Sequence, residues 1–123
     1  MKKAADYLAE ANAVVPKIDA KEGIAKHGGD TVFIDVRDSS AIAESGTIQG
    51  AQRIPRGFIE FAADDSTPFH NKALSKDADI VLICAAGGQA ALAGKTLLDM
   101  GYSKVSNVGG FGDWKDAGGP TES

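Results

Sequence analysis

The chain is poor in the residues that would mark several functional classes. It has one cysteine, Cys84, in 123 residues. A single thiol cannot form an intramolecular disulfide, so the expected compartment is the reducing cytoplasm rather than the oxidising exterior. No apolar run approaches the ~20 residues that a membrane span requires. The start, Met1 to Glu10, carries Lys2 and Lys3 but no apolar h-region, which argues against a secretory signal. Membranes are therefore not an expected partner. Cations are neither abundant nor clustered: Lys plus Arg total 13 against 17 Asp plus Glu, a formal net charge of −4. Nucleic acid is not an expected partner either, because phosphate contacts need grouped Lys and Arg. No metal ligand set and no cofactor are expected.

What is present describes a soluble globular chain, with 43% apolar and 24% charged residues. The length suits a single domain over 1–123 with a core of its own. Ala4, Leu8 and Ala11 recur at helical spacing and predict an N-terminal helix over about 2–12, ahead of a core over about 14–119. Val14 to Ile18 reads as a short edge strand containing Pro16. Asp19 and Glu22 have capping-box spacing and predict a helix that stops at Gly28 and Gly29. Thr31 to Arg37 is rich in β-branched residues, as in a parallel strand buried on both faces. Short helices are expected after Asp38 and over Arg56 to Phe61, a surface loop from Asp64 to Asn71, and a last strand over Lys104 to Val108. Phe58 and Phe61 are expected in the core or a pocket wall. Asp116 to Ser123 reads as a polar tail. Alternating strands and helices imply an α/β layer structure with a mostly parallel sheet.

The most informative stretch runs from Ile80 to Gly94. It reads as a buried strand, a short glycine-containing loop and a helix whose small residues allow close packing on the sheet. Cys84 stands where the strand ends, over the unpaired N–H groups and partial positive charge of a helix start. A thiol so placed is stabilised as the thiolate, which makes Cys84 the candidate nucleophile. Asp35 and Arg37 also lie at the carboxyl end of a strand, where ligands of such sheets bind.

These residues resemble the rhodanese-like sulfurtransferases in single-domain form, over roughly 17–119. Asp35-Val36-Arg37 is similar to the family's D-V-R. Gly46-Thr47-Ile48, Gly50-Ala51 and Ile54-Pro55 resemble its G-H-I-x-G-A-x-x-I-P, with Thr47 in place of the usual His. Gly109 to Trp114 resembles its closing G-G-F-x-x-W, and Cys84 to Gln89 occupies the place of its active loop, C-x-x-G-x-R. The resemblance implies a three-layer α/β/α fold around a five-stranded, mostly parallel sheet. It also implies a double displacement: Cys84 takes a sulfane sulfur from thiosulfate or another persulfide donor, then passes it to cyanide or a thiol. A sulfur-carrying protein is a further candidate partner. With no second cysteine to resolve the persulfide, the acceptor must be external.

The loop residues Ala85, Ala86, Gly87, Gly88 and Gln89 are the expected substrate-binding set. Phosphatases and arsenate reductases of this fold have a loop one residue longer ending in arginine, whereas here Gln89 and Ala90 follow the glycines. Gln89 is neutral and offers two N–H donors at most. With Ala85 also uncharged, the loop lacks side-chain cations, and Arg56 is the expected compensating cation near the pocket mouth. The same loss leaves open a low-activity or non-catalytic binding or regulatory module. Asp35, Arg37 and Trp114 are expected to be structural near the site, Trp114 by packing under the loop.

Overall fold

The computed structural model describes residues Met1–Ser123. Helix α1 (Ala4–Val14) leads into α2 (Ala20–Lys26), which begins at the expected box: Glu22 N–H donates to Asp19 Oδ1 at 2.8 Å. Then come β1 (Val32–Asp35), α3 (Ser39–Ser45), β2 (Thr47–Ile48), β3 (Gln52–Arg53), a 3₁₀ turn (Arg56–Phe58) and α4 (Ile59–Ala63). The second half holds β4 (Asp79–Cys84), α5 (Gly88–Asp99), β5 (Lys104–Gly110), α6 (Phe111–Asp116) and β6 (Thr121–Glu122). Helix α5 stops in a Schellman motif: Tyr102 N–H donates to Leu97 O and Gly101 N–H to Leu98 O, with Gly101 at φ +99°. No helix is long and apolar enough to cross a membrane.

The central sheet has the order β3-β1-β4-β5, all parallel. Its strands alternate between two cores, as the two-residue period of a strand dictates. Ile34, Ile80 and Leu82 face α4 and α5, joined by Ile59, Ala90, Ala93 and Leu97. Phe33, Val81 and Ile83 face the opposite layer with Val108, Phe111 and Trp114. The fifth strand of the expected sheet is present as a single parallel bridge, Lys17 beside Asn107. Val14 is taken by α1 and Pro16 has no N–H to give, so pairing there is limited to Asn107 N–H to Pro16 O and Ile18 N–H to Asn107 O.

Three sequence expectations change. The tail does not run free: β6 pairs antiparallel with β2, and Glu122 accepts from Gly50 N–H at 2.7 Å. Phe58 and Phe61 are not core. The turn and α4 spend their inner face on Ile59, Ala62 and Ala63, leaving Phe58, Phe61 and Phe69 exposed at 39%, 49% and 57% and clustered on one another. Trp114 does not lie under the Cys84 loop. It packs with Phe33 and His27 and against Gly23, and its Nε1–H donates to Pro120 O, which pins the tail.

Candidate active site

Cys84 is the last residue of β4 and is 2% exposed. Its Sγ accepts hydrogen bonds from Gly87 N–H at 3.0 Å and Ala90 N–H at 3.4 Å. The chain reaches this curl because Gly87 adopts φ +99°, a left-handed conformation that glycine takes without steric cost. Gly87 caps α5, a helix of 12 residues, so the two donors come from the cap and from the first turn, Ala90. Ala85, Ala86 and Gln89 are exposed, and Gly87 and Gly88 are half-buried. The loop thus surrounds the sulfur with peptide dipoles and presents small or neutral side chains outward. Such a cradle suits a sulfur anion.

Two residues that hold the loop escape a sequence reading focused on the cysteine. Asn107 is buried in β5; its Nδ2 donates to Gly87 O at 2.9 Å and its Oδ1 accepts from Gly109 N–H at 2.8 Å. The signal is an asparagine between Val105 and Val108, two residues before the closing glycines. Gly110 is the second. A Cβ there would sit 2.5 Å from Ala85 O, so the loop rests directly on this glycine. A register shift between Leu82 and Ile83 brings both residues into place: Leu82 pairs with Asn107 and Ile83 with Gly109, so Val108 is bulged out.

The expected structural pair forms a closed knot at the end of β1. Asp35 is fully buried, and Arg37 is nearly so. Arg37 Nη2 and Nε donate to the Asp35 carboxylate at 2.8 and 3.1 Å, and Nη1 donates to Ser45 Oγ at 2.8 Å. Thr47, where the family usually has His, donates its hydroxyl to Asp35 Oδ2 at 2.7 Å. The guanidinium also stacks 4.7 Å from the Phe111 ring centroid. Every strong donor of Arg37 is therefore engaged inside the fold, and the knot ties three of the sequence motifs together.

Arg56 stands beside the loop with its guanidinium already paired. It lines a hollow of about 480 Å³ with Gly88 and Gln89, but its guanidinium bonds Glu60 at 3.1 Å and Thr96 Oγ1 at 3.2 Å. Glu60 lies one turn away, and Thr96 two turns down α5 from Gln89. A second hollow, of about 310 Å³, flanks the other side of the loop and is lined by Ala86, Gly87, Asn107, Lys17 and Asn12. His27 and His70 line neither hollow; each bonds a backbone carbonyl, of Gln49 and Leu74 respectively.

Fold and site define an α/β protein that presents one cysteine, at the end of a central parallel strand, to a loop of backbone donors. The chain belongs to the rhodanese-like domain family, whose model matches residues 19–117. It is 33% identical over 94 residues to the protein HIGH ARSENIC CONTENT 1, mitochondrial, of Arabidopsis thaliana, an alignment covering 70% of this chain and 53% of that one. The chain thus spans about half the length of that relative. It is 30% identical over 92 residues to a sulfurtransferase of Allochromatium vinosum, covering 74% of this chain and 78% of the relative. Among solved structures it superposes at a TM-score of 0.93, with 37% identity over 99% of this chain and 96% of the other, on a Rhodopseudomonas palustris protein described as of unknown function, possible tyrosine phosphatase.

Proposed function

We propose that the protein is a sulfurtransferase that carries sulfane sulfur on Cys84 as a persulfide. Family membership and the sulfurtransferase relative support sulfur transfer as the general activity. The observation that carries the finer reading is the pair of N–H donors on Sγ, from Gly87 and Ala90. With thiosulfate as donor, the Cys84 thiolate attacks the outer sulfur, an S–S bond forms as another breaks, and sulfite leaves with the electron pair. The resulting Cys84 persulfide anion sits among the loop amides. Cyanide or a thiolate, small or protein-borne, then attacks the outer sulfur and restores the Cys84 thiolate. Gly87 and Ala90 supply the donors to the sulfur, the loop from Ala85 to Gln89 receives the cargo, and Arg56 joins them only by exchanging Glu60 and Thr96. The lone thiol chemistry fits the reducing cytoplasm.

Phosphate-ester hydrolysis, which the Rhodopseudomonas description suggests, fits poorly. A tetrahedral phosphate is gripped by a bidentate arginine at the end of a loop one residue longer, and the sequence has Ala90 at that place, after Gln89. A second reading, a rhodanese-like module with little catalysis, is favoured by the absence of an unpaired cation at Gln89 and Arg56. Incubation with thiosulfate, followed by intact mass analysis and a cyanide assay, decides between them. The expected result is the gain of one sulfur atom on the wild type, absent from Cys84→Ser, with thiocyanate formed on adding cyanide. No sulfur gain from thiosulfate or from an organic donor would remove the sulfurtransferase reading.

A further inference from the structure

Helix α1 lies outside the segment that matches the family model, yet it packs on α5 and lines hollows beside the Cys84 loop. It is anchored by few groups. Ala11 is buried, and Val15 fits so closely on α5 that a Cβ on Gly94 would stand 2.9 Å from its Cγ1. Leu8 rests on the start of α5, with its Cδ2 3.5 Å from where a Cβ on Gly88 would be. Leu8 also lines both hollows that flank the Cys84 loop. In the larger one, Ala4, Tyr7, Leu8 and Leu92 form an apolar wall beside Gln89, and the one cation, Arg56, is neutralised by Glu60.

That lining is matched to a ligand with little charge and a sizeable apolar body. A small dianion such as thiosulfate finds no free cation there and leaves the wall uncovered. We propose that α1 is the substrate-selecting wall of the site, and that the preferred donor is an organic sulfane compound with an aryl or branched alkyl body lodged against Leu8 and Leu92. This rests on the sulfurtransferase reading for the transfer step. In that step the donor R–S–SH and the Cys84 thiolate give R–SH and the Cys84 persulfide anion. The S–S bond of the donor breaks, and its electron pair and the proton leave on R–SH.

Two measurements test the wall separately from the activity. The first compares benzenethiosulfonate with thiosulfate as donors, with benzenesulfinate or sulfite leaving. Wild type is expected to favour the aryl donor in kcat/KM by about tenfold or more, from burial of the ring, and Leu8→Ala to lose most of that preference. The second uses no sulfur chemistry: the rates at which N-benzyl iodoacetamide and iodoacetamide alkylate Cys84, followed by intact mass. The benzyl-to-parent rate ratio is expected to fall several-fold in Leu8→Ala and in Leu92→Ala, which reads the same wall from α5. It should hold in Val14→Ala, an exposed position on α1 that lines neither hollow. An alkylation ratio unchanged in both wall variants overturns the proposal, even if sulfur transfer is robust. A ratio that falls as expected while no donor loads Cys84 keeps the wall and removes the sulfurtransferase reading.

Discussion

Two polar centres stand at the carboxyl ends of neighbouring strands, and they are satisfied in opposite ways. At the end of β1, Asp35 and Arg37 are both charged, both buried and bonded to each other, to Ser45 and to Thr47. At the end of β4, the Cys84 sulfur meets only peptide N–H groups and no charged side chain. The first arrangement engages all three guanidinium nitrogens within the fold and so holds the loops in place. The second leaves the sulfur compensated only by dipoles, and free to exchange one bond for another. Side-chain charge satisfies the first centre, and backbone polarity satisfies the second.

The comparison breaks most visibly at Arg37. Removing one member of a buried ion pair leaves the other uncompensated, so Arg37→Ala is expected to cost about 3–5 kcal/mol in urea unfolding. A loss below about 1 kcal/mol would mean that the knot is not structural. Gly110→Ala acts on the other centre. Its new methyl meets Ala85 O, so the loop must shift, at about 1–3 kcal/mol for overpacking. Persulfide loading is expected to drop at least tenfold in that variant, and unimpaired loading would show that the observed curl is not required. Gln89→Arg adds charge to the neutral centre. A charge-assisted bond is worth roughly 1.5–3 kcal/mol against about 1 for a neutral one, so the KM for thiosulfate is expected to fall about tenfold. No change in thiosulfate kinetics would favour the non-catalytic module.

The smallest effect lies at the far end of β4, at Asp79. Burial pushes its carboxyl up, but hydrogen bonds from Lys26 Nζ and Thr31 Oγ1 outweigh that and hold it below the usual carboxylate range. A carboxyl lowered on folding adds stability that is present above its unfolded value and is lost as pH falls through its folded value. Asp79→Asn should therefore flatten the acid side of the stability–pH profile and leave persulfide loading unchanged. Retention of the full acid dependence in the variant would place the titrating group elsewhere.

The residues whose roles are local were readable in the sequence. Asp19 and Glu22 announced a helix start, Gly101 and Tyr102 a helix stop, and the order of apolar residues from Ile80 gave the strand that delivers Cys84. Asp35 and Arg37, two apart on one strand, could be read as a pair. The misreadings are long-range. Thr121 and Glu122 form a strand only because β2 offers an open edge, which two polar residues cannot signal. Other partners are simply out of sequence reach: Arg56 has a readable partner in Glu60 one helical turn on, but its second partner, Thr96, is 40 residues away. The closing motif suggests Trp114 beneath the loop, whereas α6 packs it against Phe33 in the opposite layer. Leu8 gave no sign of its place beside Gly88, because α1 is mostly exposed and weakly patterned.

The two donors to the Cys84 sulfur belong to the peptide chain, and every residue type except proline carries such an N–H. The side chains at Ala85, Ala86 and Gln89 are exposed and take no part in holding the sulfur. Within one short loop, the hold on the sulfur and the outward surface rest on different atoms. The outward residues Ala85, Ala86 and Gln89 can be exchanged without touching those donors, while any side chain at the left-handed position 87, or proline at 90, is the change that descent has to avoid.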